Sequence, residues 1–263
     1  MRQGRPSASR EVTYRIANRI GLTAFAAMGV RVRVRGSVRI PAAGPAMLVG
    51  NHVSYIDFLL LEYAARPRGR FVRFLCRGDI WDVHPALARV MDDMGHIPVH
   101  REVGAHALLT ARAALEAGEA VGAFPEAGLS PSLTVRDLMP GAAYLAIATG
   151  APLLPVAVWG TQRIAEVDHV SLRRGQLIDV VVGEPVVVAP DDDVDSVTAR
   201  LGARLQSLVD DVQRLPEHSP SAGAHAWWHP RHLGGHAYDT RAGARRNPAP
   251  GNARPPSWRP RGT

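Results

Sequence analysis

The residues best suited to chemistry in this chain lie in NHVSYIDFLLLEYAA, running from Asn51 to Ala65. His52 is followed five positions later by Asp57. Histidine is the side chain whose ordinary pKa lets it take up and release a proton near neutrality. A carboxylate bonded to one ring nitrogen fixes the tautomer and stabilises the imidazolium that forms when the other nitrogen takes a proton. The pair can therefore serve as general base and orienter. A plainer account fits the same residues. Ser54 and Asp57 form a Ser-x-x-Asp helix start ahead of Phe58, Leu59, Leu60 and Leu61. Asp57 is then only a capping partner, and His52 a satisfied histidine at a strand end. Taken alone, the segment favours capping.

The elements that must position this pair are legible on either side of it. AMLVG (Ala46–Gly50) is a fully apolar run, the pattern of a strand buried on both faces, and its end delivers Asn51 and His52. If a tight turn then enters a helix over Asp57–Ala65, Asp57 lies one turn in and faces back. VRVRVRG (Val30–Gly36) alternates strictly, with Val30, Val32 and Val34 on one face and arginines on the other, which predicts a half-buried edge strand. FVRFLC, GHIPVH, EAVGA, APLLPVAVWG and LIDVVVGEPVVV read as further strands. Helices are predicted for HPALARVMDDM, begun by its proline, and for GAAYLAIATG. Another spans 105–118, with Leu108, Leu109 and Leu115 inward. A long amphipathic helix spans 191–215, with Val194, Val197, Leu201, Leu205, Leu208 and Val212 on one stripe. Its leading aspartates suit capping and dipole complementarity better than a calcium loop. The predicted fold is α/β: a mixed twisted sheet flanked by helices on both faces, with active residues at strand ends.

Composition narrows the function. All 31 basic residues are arginine, which removes lysine chemistry, and the lone Cys76 excludes an internal disulfide framework. The net charge of +7 is uneven: residues 1–40 and 217–263 are basic, whereas 41–216 is mildly acidic. Basic flanks suit an anionic surface. Aromatic residues interleaved in a basic stripe are missing from the body, so no nucleic-acid partner is expected. No run reaches the roughly 18 apolar residues of a membrane span. Ser9–Gly29 reads as a helix with Arg10, Arg15 and Arg19 near one end and an apolar remainder, suited either to a lipid interface or to packing on the domain. Its flanking arginines argue against a signal peptide. After Pro216 the chain is rich in Pro, Gly, His and Arg and reads as largely disordered. Paired Trp227 and Trp228 in that tail fit a lipid interface. His229, His232 and His236 lack a frame for a metal, and none is expected.

Four segments in register resemble the glycerolipid acyltransferase family, typified by 1-acyl-sn-glycerol-3-phosphate acyltransferase. Its first motif, Asn-His-x-x-x-x-Asp, is met by Asn51, His52 and Asp57. Its second, Gly-x-Ile-Pro-Val-x-Arg, is met by GHIPVHR (Gly95–Arg101). Its third, Phe-Pro-Glu-Gly-Thr-Arg-Ser, is kept in part by FPEAGLS (Phe124–Ser130). Its fourth, a Pro-rich apolar strand, is met by APLLPVAV (Ala151–Val158). Any one of these patterns is weak, but four in order across residues 30–190 outweigh the capping account.

The resemblance implies an O-acyltransferase that moves a fatty acyl chain from acyl-CoA or acyl carrier protein to a lysophospholipid hydroxyl. His52 is then the base and Asp57 its orienter, with no cofactor or metal. Asn51, Arg101 and Glu126 are assigned to substrate binding, Arg101 holding phosphate and Glu126 contacting the glycerol portion. Leu129 stands where the family has arginine, Ala127-Gly128 replaces Gly-Thr, and Met139 replaces lysine ahead of Pro140-Gly141-Ala142. Arg77 and Arg136 are candidates to restore the lost charge. A glycolipid acceptor, or a catalytically silent lipid-binding relative, is the alternative. The implied organisation is a basic amphipathic helix over 1–29, an acyltransferase domain over 30–215 and the tail over 216–263. The expected location is peripheral, on the cytoplasmic face of the plasma membrane.

Overall fold

The computed structural model describes residues 8–100, 104–167, 169–248 and 256–260. Within them the strands are β1 (Arg31–Arg35), β2 (Ala46–Gly50), β3 (Val72–Arg77), β4 (Ile97–Val99), β5 (Ala120–Ala123), β6 (Leu153–Trp159) and β7 (Leu177–Val182). The helices are α1 (Ala8–Ala27), α2 (Asp57–Ala65), α3 (Ile80–Val83), α4 (Pro85–Asp93), α5 (Gly104–Glu116), α6 (Gly141–Thr149), α7 (Val194–Gln213) and α8 (Thr240–Arg246). The strands form one sheet in the order β1-β7-β6-β2-β5-β3-β4. Every pairing is parallel except β6 with β7. The mixed sheet of the sequence reading is therefore present, with β1 at its edge.

Burial explains the strand sequences. Along β2, Met47 and Val49 face one core while Ala46 and Leu48 face the other. Both faces of the central strand are covered, so its apolar run is continuous rather than alternating. Along β6, Leu153, Ala157 and Trp159 enter the first core and Leu154, Val156 and Val158 the second. Helices α5, α6 and α7 close the first core through Ala111, Leu115, Leu145, Leu201 and Leu205. Helices α1 and α2 close the other through Phe25, Leu60, Leu61 and Ala64. Leu109 is corrected: it is 63% exposed, and Ala107, Ala111 and Leu115 form the buried stripe of α5. At 100° per residue, position 109 lies nearly opposite position 107.

Because β2, β3, β4, β5 and β6 run parallel, their carboxyl ends share one edge of the sheet. The segments after β2, β5 and β6 are thereby gathered side by side above the centre, the crevice where open α/β sheets place ligands.

Helix α1 both packs and exposes apolar surface. Tyr14 is 1% exposed and its hydroxyl donates to the Val72 carbonyl. The Asn18 amide donates to Glu62 at 3.1 Å. On the outer side Val12, Ile16 and Ile20 are exposed.

The tail differs most from its sequence reading. Residues 216–248 fold onto the domain, with His218, Ala226, His229 and Ala237 buried. Farther on, the Leu138 N–H donates to the Trp258 carbonyl at 3.0 Å. The Trp258 ring lies on α7 at Gly202, where a Cβ would come within 2.3 Å of it. Periodicity missed this packing because the tail docks through isolated histidine, alanine and tryptophan contacts rather than through one face of a regular element. Gly202→Ala should therefore loosen the tail even though alanine favours the helix. Limited trypsinolysis should cut at the tail arginines several-fold faster in the variant, and equal rates would contradict the packing.

Candidate active site

The site is built where β2 ends. Asn51 is 1% exposed, and its amide donates to the Val158 carbonyl at 3.0 Å and accepts the Val158 N–H at 2.8 Å. That double bond continues the β2–β6 pairing one residue past the strand and fixes where the chain turns. Asn51, assigned to substrate binding from sequence, thus has a backbone-bridging role in the structure, with one N–H and one carbonyl lone pair engaged.

The next residue turns its ring toward the helix. His52 Nδ1 lies 3.0 Å from Asp57 Oδ2. The same oxygen accepts the Val53 and Ser54 N–H groups, each at 2.8 Å. Thr161, at the start of the turn after β6, donates its hydroxyl to Asp57 Oδ1 at 2.6 Å. Asp57 is fully buried, yet both its oxygens are satisfied. The capping and chemical accounts of Asp57 thus hold together, since one carboxylate receives the Ser54 amide and the imidazole. The Ser54 hydroxyl accepts the Ile56 N–H at 3.3 Å and donates outward to the Ala165 carbonyl.

With Nδ1 bonded to a carboxylate, the Nδ1–H tautomer is favoured and Nε2 keeps its lone pair. The imidazole stacks on Phe124 at 4.2 Å between centroids and 19° between planes. Its side chain is 21% exposed, and Nε2 has no hydrogen bond among the described residues. The second ring nitrogen is thus left without a protein partner among the described residues on a partly exposed ring.

The loop after β5 is locked to the same point. The Glu126 carboxylate accepts the His52 N–H at 2.8 Å and the Arg136 N–H at 2.9 Å. The Ser130 N–H donates to the His52 carbonyl at 2.7 Å. Glu126, assigned to acceptor binding from sequence, is 1% exposed, with one backbone amide on each carboxylate oxygen. Burial pushes its pKa up to about 8, against the pull of those amides. Ala127 takes φ 54° where the family has glycine, so this loop holds a residue in the left-handed region.

The arginines separate. Leu129 is buried, and the Arg136 guanidinium donates to the Leu129 carbonyl at 2.7 Å, beside the position of the missing family arginine. Arg77, at the end of β3, is largely exposed and paired with Asp79. Arg101 lies outside the described residues. Among the described residues no three His, Cys, Asp or Glu side chains gather to hold a metal. The sequence reading missed Thr161 and Phe124 as partners of the pair. The available signal was position, since each flanks the end of a strand parallel to β2.

A strand-end histidine held by a buried carboxylate, with its second nitrogen unpartnered among the described residues, is the arrangement that general-base chemistry requires. Residues 31–159 match the model of the Acyltransferase family. The chloroplastic 1-acyl-sn-glycerol-3-phosphate acyltransferase of Arabidopsis thaliana is 24% identical over 160 residues, 59% of this chain and 44% of that protein. The lyso-ornithine lipid O-acyltransferase of Rhizobium meliloti is 27% identical over 227 residues, 74% of this chain and 75% of that protein. The chain thus spans less than half the length of the first relative and three quarters of the second. The crystal structure of the 1-acyl-sn-glycerophosphate acyltransferase PlsC from Thermotoga maritima has the same fold. Its TM-score is 0.63 at 21% identity, over 78% of this chain and 82% of that one.

The raised Glu126 pKa carries a stability sign. A carboxyl that holds its proton more tightly when folded stabilises most below the ordinary carboxylate range and loses that contribution as pH rises toward 8. Glu62, raised by burial to about 7, acts in the same direction. Urea midpoints should decline from pH 5 to pH 8, and Glu126→Gln should flatten the decline whatever its effect on absolute stability. An unchanged slope in the variant would contradict the assignment.

Proposed function

We propose that the protein is a membrane-associated O-acyltransferase that moves a fatty acyl chain from an acyl-CoA or acyl-carrier-protein thioester to the hydroxyl of a lysophospholipid such as 1-acyl-sn-glycerol-3-phosphate. The observation that carries this reading is the His52–Asp57 pair, with Nε2 unoccupied. The acceptor hydroxyl gives its proton to Nε2 as its oxygen attacks the thioester carbonyl. The carbon–sulfur bond then breaks, and the leaving thiolate takes the proton from the imidazolium. No enzyme nucleophile is required. Base catalysis of this kind supplies about 10²–10⁴-fold, roughly 3–5 kcal/mol. Positioning and oxyanion stabilisation supply the rest.

The acceptor admits a second reading, a lysolipid without phosphate. Two family cations are replaced by Leu129 and Met139, and Arg136 spends one guanidinium nitrogen on the Leu129 carbonyl. The Rhizobium relative, whose name specifies a lyso-ornithine lipid, supports it. Thiol release from acyl-CoA with lysophosphatidic acid or lyso-ornithine lipid as acceptor separates the two. His52→Ala should reduce turnover by at least about 10²-fold with either acceptor. Full activity in that variant would end the assignment.

Helix α1 supports the membrane-associated reading. Val12, Ile16 and Ile20, spaced four apart on its outer side, form an exposed apolar stripe with Arg15 and Arg19 exposed beside it. Among the described residues no helix is long and apolar enough to cross a membrane. The reading is a helix docked on the domain by Tyr14 and Asn18 and resting in the lipid interface by its other side. The location proposed is peripheral, on the cytoplasmic face of the plasma membrane. Ile16→Glu with Ile20→Glu should weaken binding to anionic vesicles roughly tenfold or more in a sedimentation assay. Activity on detergent-dispersed acceptor should be retained.

A further inference from the structure

Past the end of β6 the chain makes a turn that is more constrained than a loop requires. Gly160 has φ 106°, and a Cβ there would lie 2.2 Å from the Leu177 carbonyl oxygen, so the turn is pressed directly onto β7. Thr161 and Gln162 follow, both fully buried. Thr161 donates its hydroxyl to Asp57 Oδ1 at 2.6 Å. It is the one side chain on that oxygen, whereas His52 and two backbone amides share the other. The three bonds on Oδ2 anchor one corner of the carboxylate, and Thr161 anchors the other; without it Oδ1 would be a buried oxygen with no partner among the described residues, and the plane that Oδ2 presents to the imidazole would be less tightly set.

The turn is in turn held from outside the segment that matches the family model. The Gln162 side chain accepts the Gly160 N–H at 2.8 Å and donates to the Trp228 carbonyl at 3.1 Å. The Arg163 guanidinium lies 3.7 Å from the Trp228 ring centroid and donates to the His218 carbonyl at 3.3 Å. His218 is fully buried and bonded through Nε2 to Asp179 on β7 at 2.8 Å. Residues 218–228 therefore back the turn whose first side chain holds Asp57.

We infer that Thr161 is a positioning residue for the catalytic pair, and that the C-terminal segment carrying His218 and Trp228 keeps it in register, making that segment part of the catalytic unit. This rests on the reading of His52 as base. Its mechanism is orientation alone: Thr161 touches neither substrate, and its loss should slow the proton transfer without weakening binding.

The test is steady-state kinetics on the full chain. Thr161→Val should lower kcat roughly 10–100-fold, the value of a hydrogen bond to a charged group, with both KM values within about twofold. Thr161→Ser, which keeps the hydroxyl, should stay within about threefold of wild type. Trp228→Ala, remote from the pair, should lower kcat on the order of threefold or more, again without moving KM. A wild-type kcat in a folded Thr161→Val, or a loss confined to KM, overturns the inference. If the valine variant fails to fold, the other two decide. A serine variant as poor as His52→Ala, or a Trp228→Ala with wild-type kcat, overturns it equally. Full turnover in His52→Ala would instead sink the base assignment. An inactive His52→Ala beside an unimpaired Thr161→Val sinks this inference alone.

Discussion

The structure turns on the burial of one carboxylate. Asp57 has no exposed surface, and moving a carboxylate out of water is tolerable only when hydrogen-bond donors replace the lost solvent. Four do so: the His52 ring, two consecutive backbone amides and the Thr161 hydroxyl. These donors come from the end of β2, the start of α2 and the turn after β6. Thr161 is 104 positions from Asp57 in sequence, and the segments meet because β2 and β6 are parallel neighbours in the sheet. The same bonds that make the charge affordable point one oxygen at the imidazole, so stability and chemistry are met by a single arrangement.

Around that carboxylate the remaining polar groups act as clamps. Asn51 staples β2 to β6, and Glu126 and the Ser130 amide staple the loop after β5 to the His52 backbone. Each is buried and each uses backbone groups that would otherwise be orphaned where the strands stop. The consequence is a histidine whose backbone is held on two sides and whose ring is held by Asp57 and Phe124, leaving one nitrogen open. Rigidity of this kind keeps a base aimed without the reacting groups having to search for it.

The two ends of the chain extend this core in different ways. Helix α1 divides its surface between the domain and an exposed apolar stripe, the arrangement of a helix that works at a boundary. The C-terminal segment instead wraps the body. It meets the turn after β6 through His218 and Trp228, and the loop after β5 through Asn247, whose amide donates to the Leu129 carbonyl at 2.9 Å. Both site-bearing loops are thus braced by residues beyond the segment that matches the family model. The loop that has lost its family arginine is among them.

The sequence by itself determined the alternation of strands and helices, the central buried strand, the edge strand and the His52–Asp57 pair. Those features are written locally, in hydrophobic period, cap residues and a five-residue spacing. Even the choice between capping and catalysis for Asp57 was false in an instructive way, because one carboxylate has lone pairs enough for both. What only the tertiary structure decided was which polar residues are spent on backbone and which remain free. Asn51 and Glu126, read as ligands in sequence, bridge backbone segments in the fold, while Thr161 looks like an ordinary turn residue and holds Asp57. The tail, unreadable by periodicity, found its partners on α7 and on the turn after β6. A hydrogen bond's partner depends on what folding brings within 3 Å, and residues a hundred positions apart carry no local mark of that meeting.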